Sequence, residues 1–174
     1  PIFHVGVGTG WQESEHRRHG FAFPEMRVRA EMLEEQLTIL RGLWAGADGW
    51  SFAGRHYRVD DARFRPCPEP VPYVITGGEG SPRGMRIAVA HSDEFNLTSA
   101  SPIAAREKFA ALDEACRAAD RDPATLVRSA MTGLLIGRSP SDFAASVDRF
   151  MERVGAGGGA EGYMAPRRAR CIDR

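Results

Sequence analysis

Apolar runs of strand length alternate along this chain with amphipathic runs of helix length, and that alternation restricts the fold more than any other feature. Residues 2–7, 71–75, 92–97 and 131–136 read as strands, and 162–165 as a weaker fifth. From Pro24 a helix is predicted, because Met26, Ala30, Leu33, Leu37, Leu40 and Trp44 recur at intervals of four and three and form one stripe. Pro102 opens a second helix, with Ala105, Phe109, Leu112, Cys116 and Ala119 on its apolar side. Phe143, Val147, Phe150 and Val154 mark a third after a Ser-Pro start. Strands that alternate with such helices imply βαβ units and a parallel sheet. Runs as apolar as "MTGLLI" imply strands covered on both faces.

Two α/β architectures compete. A (β/α)8 barrel takes about 250 residues, so 174 residues would supply just over half of one. A doubly wound sheet is the other. "GVGTGW" is one residue short of a dinucleotide fingerprint, and no G-x-G-x-x-G opens a helix here, which weakens that alternative. Between the first strand and the next, "WSFAGRHYRV" predicts a small hairpin turning near Ala53-Gly54, and "RPCPEPVP" an extended, proline-stiffened connector.

Totals exclude several function classes. Lys+Arg and Asp+Glu balance at 23 each, which gives no electrostatic case for nucleic acid or membrane surfaces. No apolar run approaches the roughly 20 residues that span a bilayer, and no leader-like segment is present, so a cytoplasmic protein is expected. Cys67, Cys116 and Cys171 lie far apart without a C-x-x-C, against a disulfide framework or a zinc ribbon. His16 and His19 beside Glu13 and Glu15 make a metal site conceivable, but a solvated helix start explains "QESEHRRHG" more simply, and no metal is expected.

The stretch "VPYVITGGEGSPRGM" carries the first functional question. A strand is followed by Gly77, Gly78, Glu79 and Gly80, and then by Ser81-Pro82, an N-cap and a first helical residue. That order places backbone N–H groups and a positive helix end where an anion could sit. It equally suits an ordinary strand-to-helix turn that needs positive φ angles.

Three ordered stretches go beyond generic α/β: "VGVGTGWQESEHRRHGFAFPEMRVRAEMLEEQLTILRGLW", "FAGRHYRVDDARFRPCPEPVPYVITGGEG" and "RIAVAHSDEFNL". Together they resemble the luciferase-like monooxygenase family, especially the branch that uses the deazaflavin coenzyme F420. The resemblance runs from about residue 2 to 154. It implies part of a (β/α)8 TIM barrel, about strands 4 to 7 or 8 with a small hairpin insertion. The first three strands would be missing, the partial-barrel domain would occupy residues 1–165, and a basic, disordered tail residues 166–174. It further implies an oxidoreductase that transfers hydride between coenzyme F420 and a small organic substrate, inactive as a fragment of this length. FMN is the alternative cofactor, with monooxygenase chemistry. A non-catalytic fragment associating through open sheet edges, as a homo-oligomer, is a third reading.

The resemblance places the cofactor phosphate near Gly77, Gly78, Glu79 and Gly80, with the Glu79 side chain turned away and Arg83 as a possible added charge. Gly8, Thr9, Gly10 and Trp11 would flank the ring at a strand's C-terminal end; otherwise they are a turn and a core tryptophan. Some relatives place a proton-donating glutamate directly after G-T-G. Trp11 stands there in this sequence, so no catalytic acid is carried over. Glu13 and His16 are the nearest titratable side chains and, with Asn96, are candidate substrate contacts.

Overall fold

Two Ser-Pro joints set where the sheet hands over to its helices. In the computed structural model, described here for residues 3–46, 48–98, 100–132 and 134–154, Ser81 Oγ accepts from the Gly84 N–H at 3.1 Å and Ser101 Oγ from Ala104 at 3.2 Å. Each serine thereby satisfies a donor that a helix start leaves without an intrahelical partner. The proline that follows lacks an N–H and loses nothing there. The same joint recurs at Ser139, whose Oγ accepts from Asp142 at 3.1 Å.

The elements follow in the order β1 (His4–Val7), α1 (Glu13–Arg18), α2 (Met26–Trp44), β2 (Trp50–Ala53), β3 (Arg58–Ala62), β4 (Tyr73–Gly78), α3 (Pro82–His91), β5 (Glu94–Thr98) and α4 (Pro102–Ala118). A 3-10 turn at Pro123–Thr125, β6 (Val127–Met131) and α5 (Pro140–Val154) complete them. The principal sheet is four-stranded and parallel in the order β1-β4-β5-β6; β2 and β3 form a separate antiparallel hairpin. The alternation therefore does give a parallel α/β sheet whose spatial order follows the chain, as successive barrel strands require. The weaker strand at 162–165 and the tail at 166–174 lie outside the described residues.

Two strands sit away from their sequence-based positions. β4 begins at Tyr73, not at residue 71, because Pro72 has no N–H to give a ladder. It runs on through Gly77 and Gly78, which pair with Asn96 and Leu97. β6 occupies Val127–Met131 instead of 131–136. Its register pairs Thr98 with Met131, so the ladder stops where β5 stops. Beyond it Leu134 and Ile136 are 78% and 71% exposed. The expectation of strands covered on both faces is also corrected. Val74, Thr76, Phe95 and Leu97 are buried toward the helices, while the alternate residues Tyr73, Ile75, Glu94 and Asn96 are only half-buried on the opposite face.

Two apolar clusters hold the helices on. Ala30, Leu33 and Leu37 of α2 pack with Val74 and Ile87, and Met85, Ala88, Leu112, Cys116 and Leu126 close around Phe95 and Leu97. The α2 stripe is thus core at its centre, whereas Met26 at its start is exposed. The hairpin is fastened to α2 at two points. Trp50 lies against Gly42, where an added Cβ would stand 2.2 Å from indole carbons. Gly42→Ala should push the indole off the helix and cost about 1–3 kcal/mol, read as a lower urea midpoint.

The second fastening is Glu35, whose carboxylate accepts the N–H groups of Arg55, His56 and Tyr57 at 2.8, 3.0 and 3.0 Å. Desolvation pushes this carboxyl up, but the three donors and the nearby His56 outweigh it and hold it below the usual carboxylate range. A depressed carboxyl stabilises above its unfolded pKa, and the contribution is lost as pH falls through the folded one. The protection factors of the amides at residues 55–57, taken against the intrinsic exchange rate at each pH, should therefore fall on acidification below about pH 4.3, and Glu35→Ala should lower them at neutral pH as well.

Candidate functional site

In a parallel sheet all strands end on one edge, and barrel enzymes build their sites there. Here that edge carries Gly8-Thr9-Gly10-Trp11 after β1 and Glu79-Gly80 after β4. Pairing of β1 with β4 makes these segments neighbours. A Cβ on Gly8 would lie 3.7 Å from the Gly77 carbonyl oxygen, and a Cβ on Gly6 or Gly78 would meet nothing within 4 Å. Glycines thus keep the backbone bare where the two segments meet.

Not all of the 77–80 run is a loop. Gly77 and Gly78 are ladder residues, so the bend itself is Glu79-Gly80. Gly80 is buried at φ +73°, a conformation that favours glycine. Its carbonyl accepts from Lys108 Nζ of α4 at 3.1 Å, and an added Cβ would come within 2.9 Å of Lys108 Cδ. Ser81 takes up the Gly84 N–H with its hydroxyl and the Met85 N–H with its carbonyl. Among the described residues, the N–H groups of Gly80, Ser81 and Arg83 have no backbone acceptor. Glu79 is exposed. Arg83 turns toward α2, with Glu31 at 3.8 Å and Glu34 at 3.6 Å, rather than toward the bend.

The Gly8–Trp11 segment is held from behind by Arg29. Its guanidinium donates to the carbonyls of Thr9 at 3.0 Å and Gly10 at 2.6 Å, to Pro24 at 2.9 Å, and lies 3.8 Å over the Phe23 ring. Gly10 turns at φ +76° beside His16, whose Nδ1 is 2.9 Å from the Gln12 carbonyl and whose ring packs on Phe23 at 4.7 Å. His16 thereby supports the turn. Trp11 is 83% exposed, so the reading of a core tryptophan is overturned. Glu13 pairs with Arg17 at 2.8 Å on the exposed face of α1. No group of three metal-ligating side chains occurs among the described residues.

Asn96 stands on the half-buried face of β5, in register with Gly77 on one side and Ser129 on the other. Its Nδ2 donates to Ser129 Oγ at 2.7 Å, and Ser129 in turn donates to Glu94 Oε1. Burial, and after it the neighbouring Glu94 carboxylate, push the Tyr73 hydroxyl above its usual range. Arg29, Lys108, Glu94 and Ser129 escaped the sequence reading. For Glu94 and Ser129 a period-two count from Asn96 with the correct β6 register would have found them; Arg29 and Lys108 on long helices give no comparable signal.

A family model described as luciferase-like monooxygenase matches residues 3–170. The chain is 34% identical over 120 residues to pyrimidine monooxygenase RutA of Pantoea ananatis, covering 63% of this chain and 32% of that protein. It is 29% identical over 133 residues to an F420-dependent hydroxymycolic acid dehydrogenase of Mycobacterium tuberculosis, covering 76% and 36%. Among solved structures, an F420-dependent secondary alcohol dehydrogenase in complex with an F420-acetone adduct superposes with a TM-score of 0.65 at 25% identity, over 73% of this chain and 38% of that one. The chain thus spans about a third of the length of these curated relatives. The expected partial barrel of luciferase-like type is what the sheet order and these neighbours bear out, and the chain belongs to the luciferase-like monooxygenase family.

Proposed function

We propose that this chain contributes the F420-binding half of an oxidoreductase site that exchanges hydride with a small organic substrate. The observation that carries the reading is the bare glycine floor: Gly6, Gly8 and Gly77 share one face of two adjacent strands, with open space where a side chain would stand at Gly6. A flat ring with an anionic tail fits such a floor. The N–H groups of Gly80, Ser81 and Arg83 at the start of α3 would hold the phosphate, with Lys108 close by. Gly8, Thr9, Gly10 and Trp11 would flank the ring. The likeness to F420-dependent dehydrogenases supports the choice of cofactor.

Bound coenzyme F420 would supply two-electron hydride chemistry. The chain's own part is to bind, orient and exclude water. Arg29 keeps the Thr9–Gly10 carbonyls in place, so that Trp11 is held at the rim as an apolar wall. Glu13, His16 and Asn96 remain the proposed substrate contacts. Residues 1–165 would form the barrel domain, acting on small molecules as a cytoplasmic protein. Among the described residues no helix is long and apolar enough to cross a membrane.

A second reading, an FMN-dependent monooxygenase, is favoured by the similarity to the pyrimidine monooxygenase. Titrating the chain into coenzyme F420 and into FMN while following cofactor fluorescence separates the two. Saturable quenching of F420, stronger than that of FMN, is expected. The reverse preference would favour the second reading, and no saturation by either would remove both.

A further inference from the structure

We propose that Asn96, aligned by Ser129 and Glu94, recognises the cyclic imide edge of a pyrimidinedione ring. This rests on the ring-binding reading above and names what within the site would read that ring. The argument begins with a proton count. A serine hydroxyl has one proton, and that of Ser129 is committed to Glu94 Oε1. Ser129 can therefore only accept from Asn96, so the Nδ2 end of the amide must face Ser129, as the 2.7 Å contact has it. The flip state of Asn96 is thus fixed by its neighbours. Its Oδ1 is left as an acceptor without a hydrogen-bond partner among the described residues, and one Nδ2 proton stays unspent.

The surroundings suit a planar ligand. In the same row, Gly77 adds no side chain beside Asn96, and Gly8 stands next to Gly77. An amide that offers C=O and N–H side by side, next to bare backbone, complements a ring edge on which N–H and C=O alternate. The imide N–H would donate to Oδ1, and the spare Nδ2–H would reach an adjacent ring carbonyl. Deazaflavins and flavins carry this edge, and so do free pyrimidinediones, so the source is either cofactor or substrate.

The test uses the chain labelled with nitrogen-15, following the Asn96 side-chain amide while FMN, coenzyme F420 or 1-methyluracil is added. FMN and 1-methyluracil are each compared with a partner methylated on the imide nitrogen, 3-methyl FMN and 1,3-dimethyluracil, and coenzyme F420 is read by the amide shift. The parent compounds should shift the amide resonance and bind up to about tenfold more tightly than the methylated ones, the worth of one hydrogen bond. Asn96→Ala should erase that preference. Ser129→Ala, which frees the amide to flip, should reduce it without erasing it; a purely structural role would leave the preference untouched. Equal binding of parent and methylated compounds by the unaltered chain overturns the proposal without recourse to any variant. So does a preference that survives Asn96→Ala. If only the uracil pair shows the effect, the imide reading stands with substrate as its source and the cofactor reading falls. If FMN binds without that preference, or F420 binds without shifting the Asn96 amide, the cofactor reading stands alone. If nothing binds, both fall.

Discussion

Phe95→Ala is expected to lower the unfolding free energy by about 3–5 kcal/mol. Phe95 is 2% exposed, at the centre of the cluster formed by Met85, Ala88, Leu112, Cys116 and Leu126. Its ring fills the space between β5 and the helices that flank it. Truncation removes the apolar transfer energy of a ring and leaves a cavity, because neighbours on three separate elements cannot all move in. The loss would be a large fraction of the 5–15 kcal/mol typical of a domain. Urea denaturation followed by far-ultraviolet circular dichroism measures it. A change below about 1 kcal/mol would mean that this cluster is not the packing centre.

Arg29→Ala is expected to act on the site itself. Three carbonyl groups lose a charged donor at once, and Phe23 loses the cation over its face. A hydrogen bond to a charged group is worth about 1.5–3 kcal/mol. Because the freed carbonyls can turn to water, a total near 2–3 kcal/mol is expected rather than the sum. The diagnostic result is local: amide exchange across residues 8–11 should accelerate, while residues 94–98 in β5 keep their protection. Arg29→Lys should recover only part of this, since an ammonium cannot span three acceptors in the guanidinium's fork geometry. Cofactor quenching should weaken in the same order. Unchanged exchange at residues 8–11 in Arg29→Ala would show that the segment holds its shape unaided.

What the sequence made legible was whatever follows from local chemistry. The Ser-Pro joint at Ser81 is a short-range signal, and its cap forms on the third helical N–H, as does that of Ser101 before the helix predicted from Pro102. The α2 and α4 stripes follow from periodicity, and their central residues Leu37, Leu112 and Cys116 are buried. Strand limits were less legible because pairing decides them. Residues 131–136 look like a strand taken alone, yet the β5 ladder ends at Thr98 and, among the described residues of that run, only Met131 finds a partner. Gly77 and Gly78 look like loop residues taken alone, yet Asn96 and Leu97 draw them into the ladder. The site was legible as to place, because glycine runs after strands are visible. It was not legible as to support. Arg29 and Lys108 reach their carbonyls from helices distant in sequence, and no spacing rule announces such a reach.

The sheet order also bears on how the chain comes together. The stretch that must be looped out to bring His4 beside Tyr73 holds all of α2 and the hairpin, and is more than three times as long as that between Ile75 and Glu94. Loop-closure entropy grows with the logarithm of length, so the first pairing carries a handicap on the order of 1 kcal/mol over the second. Pairing within this stretch is thereby biased toward β4, α3 and β5 as the seed, with β1 added afterwards. The floor on which the two glycine segments meet is completed only at that late step.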